Sequence, residues 1–172
     1  MKNKIINIVS WLIVLWTAKV FLFSLPYKFT GHPDTQHIFG TIGTWMQGIL
    51  GNKFGALFGQ YGAYAVGSVE LLTSLVLLSP ILFFALKKAR LVAAVPPTAV
   101  IHALGGLMAA GVMAGAVFFH LFTPLGIEVI HHGQSDNGSL FYAAVSILIW
   151  SITLFALNFL SCKASDTGTS TV

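Results

Sequence analysis

Four long apolar runs constrain the fold of this chain more than any other feature of its sequence. A helix needs about 20 apolar residues to cross the hydrocarbon layer of a bilayer. The chain meets that length at about residues 5–25, 61–86, 91–119 and 140–160. Only 8% of the 172 residues are charged and the mean hydropathy is +0.84, whereas a soluble domain carries about a quarter charged residues. The sequence therefore predicts an all-α integral membrane protein, a bundle of four transmembrane helices.

The longest segment outside these runs is residues 26–60. Residues 1–163 are expected to form a single membrane domain, and the polar residues 164–172 a disordered tail. Between the first two runs, five glycines recur at intervals of three and four residues: Gly48, Gly51, Gly55, Gly59 and Gly62. That spacing predicts a helical segment between transmembrane helices 1 and 2, on the extracytoplasmic side. It either packs closely against a neighbouring helix or forms a re-entrant, cavity-lining segment.

The basic residues predict the orientation. Six of the nine lie on one side of a four-span arrangement: Lys2, Lys4, Lys87, Lys88, Arg90 and Lys163. By the positive-inside rule both termini are cytoplasmic, and the loop before the fourth run faces outward. Because the basic residues flank apolar runs, the net charge of +4 gives no reason to expect nucleic-acid binding. The single cysteine, Cys162, excludes an internal disulfide and a tetrathiolate metal site.

Two charged residues lie within the predicted spans. Lys19 is expected about 9 Å from the outer end of the first helix, and Glu70 about 13 Å into the second, by helical rise. An intramembrane charge is costly unless it is paired, snorkels or meets water. A Lys19–Glu70 pair is the economical arrangement. It serves either as a structural clasp or as a polar site for a quinone, a proton or a small substrate, and the remaining alternative is Lys19 snorkelling alone to the headgroups.

Histidines are concentrated on the predicted outer side. Five of the six lie there, and they are the candidate ligands for a metal or haem: His32, His37, His120, His131 and His132. None of their spacings is diagnostic, since the chain has no H-E-x-x-H motif and the adjacent His131 and His132 would point apart in a regular element. Solvated loop histidines are the alternative. After His120, Pro124 and Gly126 predict that the third helix ends near Phe122.

Three segments together resemble the DoxX-like family of small bacterial inner-membrane proteins. They are "LPYKFTGHPDTQHIFGTIGTW", "GSVELLTSLVLLSP" and "FFHLFTPLGIEV", and the resemblance runs from about residue 19 to residue 150. It implies a four-helix bundle in the bacterial inner membrane with a polar site near its outer face. The ligand-binding candidates from this resemblance and from the intramembrane charges are Lys19, Lys28, Glu70, His120 and Thr123.

The function expected from the resemblance is that of an accessory subunit of a redox or quinone-linked membrane complex. A quinone is favoured as its cofactor over haem or a metal ion, and whether the protein is an enzyme stays open. The partners expected are the lipid bilayer and either other membrane proteins or further copies of this chain. Two alternative hypotheses remain. The protein is either a non-catalytic assembly or chaperone-type interaction protein, or a transporter of a small solute or of protons.

Overall fold

The computed structural model describes the backbone of residues 2–168 and the side chains of residues 4–163. Within that range five helices follow one another: α1 (Lys2–Phe29), α2 (Pro33–Leu50), α3 (Asn52–Lys88), α4 (Thr98–Phe122) and α5 (Ser139–Gly168). A two-stranded antiparallel hairpin lies between α4 and α5. Its strands are β1 (Ile130–His131) and β2 (Gln134–Ser135), with Ile130 opposite Ser135.

Four of the helices are long and apolar enough to cross a membrane, namely α1, α3, α4 and α5. The predicted fold class is confirmed: this is an all-α, multi-pass membrane protein with a helical segment, α2, between its first two spans. Helix α1 contacts α3 and α5, and α4 contacts the same two helices, so the four spans form a four-sided bundle. We call the end that carries α2 and the hairpin the capped end, and the end that carries the start of α1 the terminal end.

Glycines bring α2 and α3 into backbone contact. A Cβ added at Gly43 would lie 2.7 Å from the Gly55 carbonyl oxygen, and one at Gly55 would collide with Gln47 and with the Gly43 carbonyl. The close-packed arrangement expected for this segment is therefore the one observed. The five glycines do not share one helix face, however, because Gly51, with a φ of 90°, forms the turn between α2 and α3.

Helix ends differ from the ends of the apolar runs. Helix α1 continues through Pro26 to Phe29, and α3 begins at Asn52 rather than near residue 61. The third span begins at Thr98, not at residue 91, because consecutive prolines at 96 and 97 cannot donate helical hydrogen bonds. It ends at Phe122, as predicted. Helix α5 extends to Gly168, so the predicted tail 164–172 overlaps its end, and residues 169–172 lie outside the described residues.

Apolar clusters hold the bundle at two levels. Toward the terminal end, Val14, Leu77 and Leu154 have at most 1% of their surface exposed and pack with Ile13. Toward the capped end a second cluster lies between α1, α4 and α5: Phe21, Ala109, Met113, Ala144 and Ile147. Residues Leu125 and Val129 of the loop after α4 pack on Ile42 of α2 and so close the capped end.

Candidate functional site: a cavity with a buried ion pair

A cavity of about 900 Å³ lies in the capped half of the bundle. All five helices and the loop between α4 and α5 contribute to its wall, which is mainly apolar. Its phenylalanine, tyrosine and tryptophan lining residues are Trp16, Phe21, Phe23, Tyr27, Phe39, Phe58 and Phe119. Binding sites for small molecules have volumes of about 300–1,000 Å³ and mostly apolar walls with a few polar groups. The cavity is therefore large enough for a small organic ligand.

An ion pair supplies the charged part of this wall. Lys28 Nζ lies 2.7 Å from Glu70 Oε2, and the two side chains are only 15% and 4% exposed. Ser24 completes the cluster. Its Oγ accepts a hydrogen bond from Lys28 Nζ at 2.8 Å, and its hydrogen lies between two acceptors, Glu70 Oε2 at 2.8 Å and the Phe21 carbonyl at 2.7 Å. All three residues line the cavity. Since a buried charge is tolerated when it is paired and hydrogen-bonded, this cluster explains how Glu70 is accommodated in the bundle.

The local sequence explains why Lys28 reaches Glu70. Because α1 continues beyond Pro26, Lys28 is still helical and lies on the same face as Ser24, four residues earlier. Gly67 of α3, one turn before Glu70, gives the Lys28 side chain room, since an added Cβ there would lie 3.4 Å from Lys28 Cβ and Cδ. The stem of the lysine therefore lies along α3.

The predicted pairing of Glu70 with Lys19 is wrong. Lys19 and Lys28 are nine residues apart, which is about two and a half helical turns, so they lie on opposite faces of α1. Lys19 is exposed, and its Nζ lies 5.8 Å from the centre of the Trp16 ring. It still borders the cavity at its edge. The snorkelling alternative is closer to what is observed, because the lysine points away from the bundle centre.

His120 forms a second polar part of the wall. It is 8% exposed and lies near the end of α4, with its ring edge-on to Phe141. Its Nδ1 is 2.7 Å from the carbonyl oxygen of Gly126. A carbonyl oxygen only accepts, so Nδ1 carries a hydrogen, and in a neutral imidazole Nε2 is then an acceptor. Gly126 adopts a φ of 71°, which turns the chain back toward the histidine.

Thr123, in contrast, does not line the cavity. Its Oγ1 donates to the Phe119 carbonyl at 2.6 Å and accepts from the Leu125 amide at 3.2 Å. Both bonds satisfy backbone groups where α4 ends. The structure thus places Thr123 outside the cavity lining, and its hydroxyl stabilises the turn that precedes the hairpin.

The cavity reaches the surface of the bundle on two sides. At one side its lining includes the exposed Trp16 and Phe23 of α1 and Leu140 of α5. At the other it includes Val69 of α3 and Gly111 of α4, both exposed. Exposed residues of all four transmembrane helices therefore border the cavity, at the surface of the bundle that would face lipid.

Part of the α4 wall has no side chains. Gly111 and Gly115, four residues apart, both line the cavity, and a Cβ added at either would have nothing within 4 Å. The helix backbone is exposed to the cavity there. A flat group can approach such a surface more closely than it could approach a wall of branched side chains.

The remaining candidate histidines lie together on the surface of the capped end. His131 Nδ1 donates to Asp34 Oδ1 at 2.7 Å, and His32 Nδ1 lies 3.4 Å from the other carboxylate oxygen. The His131 ring stacks on His37 with 4.6 Å between ring centres and lies 4.0 Å from the ring of His132. The hydrogen bond from His131 is the main reason why the pKa of Asp34 is lowered.

This histidine cluster differs from the expectation in one respect. His131 and His132 do not point apart, because His132 adopts a φ of 49° in the hairpin turn and its ring folds back onto His131. Among the described residues, no group of three or more histidine, cysteine, aspartate or glutamate side chains could hold a metal ion. Stacked rings direct their nitrogens sideways rather than toward one point, which suits contact between α2 and the hairpin.

Asp136 organises the loop beside the cavity. Its carboxylate accepts hydrogen bonds from three backbone amides: Val129, Gly138 and Leu140. Partial burial by itself would raise the pKa of this group, but the hydrogen bonds outweigh burial and the pKa is lowered. The residue lines the cavity and at the same time connects the hairpin to the start of α5.

Comparisons of the chain with protein-family models, with curated protein sequences and with solved structures find no match. The fold and the cavity therefore define the protein's class by themselves. It is a multi-pass membrane protein with a lateral, mostly apolar cavity whose wall includes the buried Lys28–Glu70 pair, Ser24 and His120.

Sequence reasoning named Lys28, Glu70 and His120, and all three line the cavity. It missed the roles of Ser24 and Gly67. Ser24 and Lys28 are four residues apart, and in a helix that continues past Pro26 this spacing predicts that they share a face. The side-chain-free wall at Gly111 and Gly115 had no comparable signal, since a glycine that faces a void and one that faces a helix look alike in sequence.

Proposed function

We propose that the protein binds a small lipid-soluble ligand of the quinone class in this cavity. The observation that carries the proposal is the buried Lys28–Glu70 pair in the wall of a cavity that is otherwise mainly apolar. An apolar ring and tail would contact the aromatic and aliphatic wall, and the polar groups of the ring would meet Lys28, Glu70 or His120. Such a molecule dissolves in the bilayer and can enter between helices.

In this proposal the protein is a DoxX-like accessory subunit of a redox complex in the bacterial inner membrane. Both termini are cytoplasmic, because the basic residues flanking the spans gather at the terminal end. The capped end then faces outward, and the cavity lies in the outer half of the bilayer. The chain supplies no dithiol pair, since Cys162 is its only cysteine, so electrons would be exchanged with a partner protein's redox group.

The observations give less support to the two alternatives. An assembly protein that uses its glycines to bind partner helices needs those glycines free, but Gly43, Gly55 and Gly62 contact other residues of this chain. A transporter needs a path on both sides of its site. Toward the terminal end, Val14, Leu77 and Leu154 fill the bundle below the cavity. Ligand binding from the bilayer needs neither free glycines nor a continuous path.

The test is to purify the protein in a mild detergent, extract it with organic solvent and measure the quinone per chain by absorbance and mass spectrometry. We expect the wild-type protein to retain quinone and Gly115→Leu to lose most of it, because the new side chain occupies the cavity. Gly48→Leu is the matched control: an added Cβ at Gly48 also has nothing within 4 Å, but the residue does not line the cavity.

Two results of the quinone measurement would contradict the proposal, and so would the recovery of a different lipid. One is a wild-type protein that carries no quinone and does not bind added decyl-quinone. The other is equal retention by Gly115→Leu and Gly48→Leu, which would place the quinone elsewhere on the protein. A phospholipid recovered in stoichiometric amount in place of a quinone would assign the cavity to a structural lipid.

A further inference from the structure

Two hydrogen-bond acceptors in the cavity wall have no partner. Glu70 Oε2 accepts from Lys28 and Ser24, whereas Glu70 Oε1 makes no hydrogen bond to any described residue. His120 Nδ1 donates to the Gly126 carbonyl, and Nε2 has no partner among the described residues. Both residues are more than nine-tenths buried, with 3% and 8% of their surface exposed. A buried acceptor without a donor is unfavourable, so a hydrogen-bond donor on a ligand would stabilise each of these two atoms.

Both atoms remain open to the cavity. The fully enclosed side-chain atoms without a partner, among the described residues, are Thr17 Oγ1, Ser151 Oγ and both ring nitrogens of His102. Glu70 Oε1 and His120 Nε2 are not in that group, although they lack partners too, so each retains accessible surface. Since both residues line the cavity, that surface faces the space a ligand would occupy.

Donors are fewer than acceptors within the group formed by Lys28, Ser24, Glu70 and His120. The Lys28 ammonium has three N–H groups, of which two are used by Glu70 Oε2 and Ser24 Oγ. The one hydrogen of the Ser24 hydroxyl is shared between the Phe21 carbonyl and Glu70 Oε2, so it is not free for a ligand. One lysine N–H is therefore left to donate to a ligand, against two free acceptors. The ring of an oxidised quinone carries only acceptor oxygens. Such an oxygen can accept a hydrogen bond from Lys28, but it cannot donate one to Glu70 Oε1 or to His120 Nε2.

We propose that the cavity prefers a ligand whose polar head carries hydroxyl groups, that is, the reduced hydroquinone or a related long-chain phenol, over the oxidised quinone. This inference rests on the proposed function and concerns the same cavity. A ligand hydroxyl donates to His120 Nε2 or Glu70 Oε1, and its oxygen can accept from Lys28. His120 is a specificity-determining residue in this arrangement, because its acceptor is fixed by the Gly126 hydrogen bond.

The test compares three ligands of nearly the same shape by isothermal titration calorimetry on the detergent-solubilised full chain. They are a decyl-hydroquinone kept reduced under anaerobic conditions, its dimethyl ether, which has no hydroxyl hydrogen, and the corresponding quinone. One hydrogen bond gained corresponds to about a tenfold difference in affinity. We expect the hydroquinone to bind at least about tenfold more tightly than the ether or the quinone.

His120→Asn identifies the acceptor, because the asparagine amide can still donate to the Gly126 carbonyl while the Nε2 acceptor is removed. It should weaken hydroquinone binding about tenfold and leave binding of the ether unchanged. His37→Asn is the control, since His37 is at the same end but outside the cavity. Thermal unfolding of each variant shows whether it is folded. If unfolding shows that His120→Asn is not folded, the ligand series on the wild-type protein decides alone.

The outcomes separate this inference from the proposed function. If all three ligands bind equally well to the wild-type protein, the preference for hydroxyl groups is refuted and quinone-class binding stands. If none of the three binds, the proposed function fails and this inference fails with it. Loss of binding of the ether in a folded His120→Asn protein would show that the histidine shapes the cavity and does not select the ligand.

Discussion

The capped half and the terminal half of the bundle are built from the same four helices but by different means. Toward the terminal end the helices meet through fully buried apolar residues such as Val14, Leu77 and Leu154. The capped half contains the cavity, and it holds all the carboxylates among the described side chains: Asp34, Glu70, Glu128 and Asp136. The terminal half supplies stability by close packing, which lets the capped half keep an unfilled space and polar groups for binding.

The largest difference between the halves should appear when the ion pair is broken. Lys28→Met leaves the buried Glu70 carboxylate without a cation, and we expect a loss of about 3 kcal/mol in the free energy of unfolding. Removing both charges in Lys28→Met/Glu70→Met should bring the protein back to within about 1 kcal/mol of wild type. Unfolding by SDS titration in mixed micelles, followed by circular dichroism, measures both values.

Lys19→Met is the matched control on the same helix. Its side chain is exposed, so the substitution should change the stability by less than about 0.5 kcal/mol. If Lys28→Met were as mild as Lys19→Met, Glu70 would have to be accommodated without Lys28, and the capped half would not depend on the pair.

A second comparison uses two glycines of one helix. A Cβ at Gly106, in the packed part of α4, would lie 3.0 Å from the Ser151 carbonyl oxygen and the Phe155 amide nitrogen of α5. Gly106→Leu should therefore force the two helices apart and lower the free energy of unfolding by about 2–3 kcal/mol. Gly111→Leu, at the cavity, should change it by less than about 1 kcal/mol. The same SDS titration applies.

Equal destabilisation by the two leucines would mean that the space at Gly111 is closed in the membrane, and the contrast between the halves would be lost. If neither leucine lowered the free energy of unfolding, α4 and α5 would be less closely packed near Ser151 than the 3.0 Å distances at Gly106 indicate.

The smallest effect is expected from pH. The pKa of Asp136 is lowered in the folded protein, so its contribution to stability is present above about pH 4, the unfolded value, and is lost as the pH falls through the lowered pKa. We expect hydrogen-exchange protection of the Val129, Gly138 and Leu140 amides to decrease on acidification, since these amides donate to Asp136. Mass-spectrometric hydrogen exchange with local resolution measures this.

In Asp136→Asn the protection of these amides should be lower at neutral pH and independent of pH in the acidic range. The amides of α3 around Leu77 serve as the internal reference, because that part of the terminal half contains no carboxylate. Loss of protection in both halves over the same pH range would contradict local control by Asp136.

The fold was predictable because apolar runs longer than about 20 residues have few other structures available to them. Their exact ends were not, since a hydropathy pattern does not register that a proline can be accommodated at position 26 of α1 or that prolines at 96 and 97 delay α4. The extra turn of α1 determines which lysine pairs with Glu70. With α1 ending near residue 25, Lys19 was the only lysine expected within the span, whereas the observed helix carries Lys28 to Glu70.

The polar residues of the site were thus predictable in kind and only partly in arrangement. Glu70 and His120 stood out because charged and imidazole groups are unusual in or beside apolar runs. The resemblance implied a polar site near one face of the bundle, but the volume and apolar lining of the cavity could not be predicted, because they depend on how the side chains of five helices fill space. The histidine cluster illustrates the same limit: the positive φ of His132, which brings its ring onto His131, depends on the hairpin and not on the spacing of the two residues.

The Lys28–Glu70 pair also constrains how the chain enters the membrane. Lys28 is synthesised 42 residues before Glu70, and near the end of α1 it can remain among the lipid headgroups until α3 follows. Glu70 lies in the middle of the 37-residue α3 and cannot reach the headgroups in the same way. An unpaired acidic residue in a spanning helix opposes insertion by about 2.5–3.5 kcal/mol. We therefore expect helix α1 to stay beside the insertion site until α3 arrives, so that α1 and α3 are the first two spans to assemble.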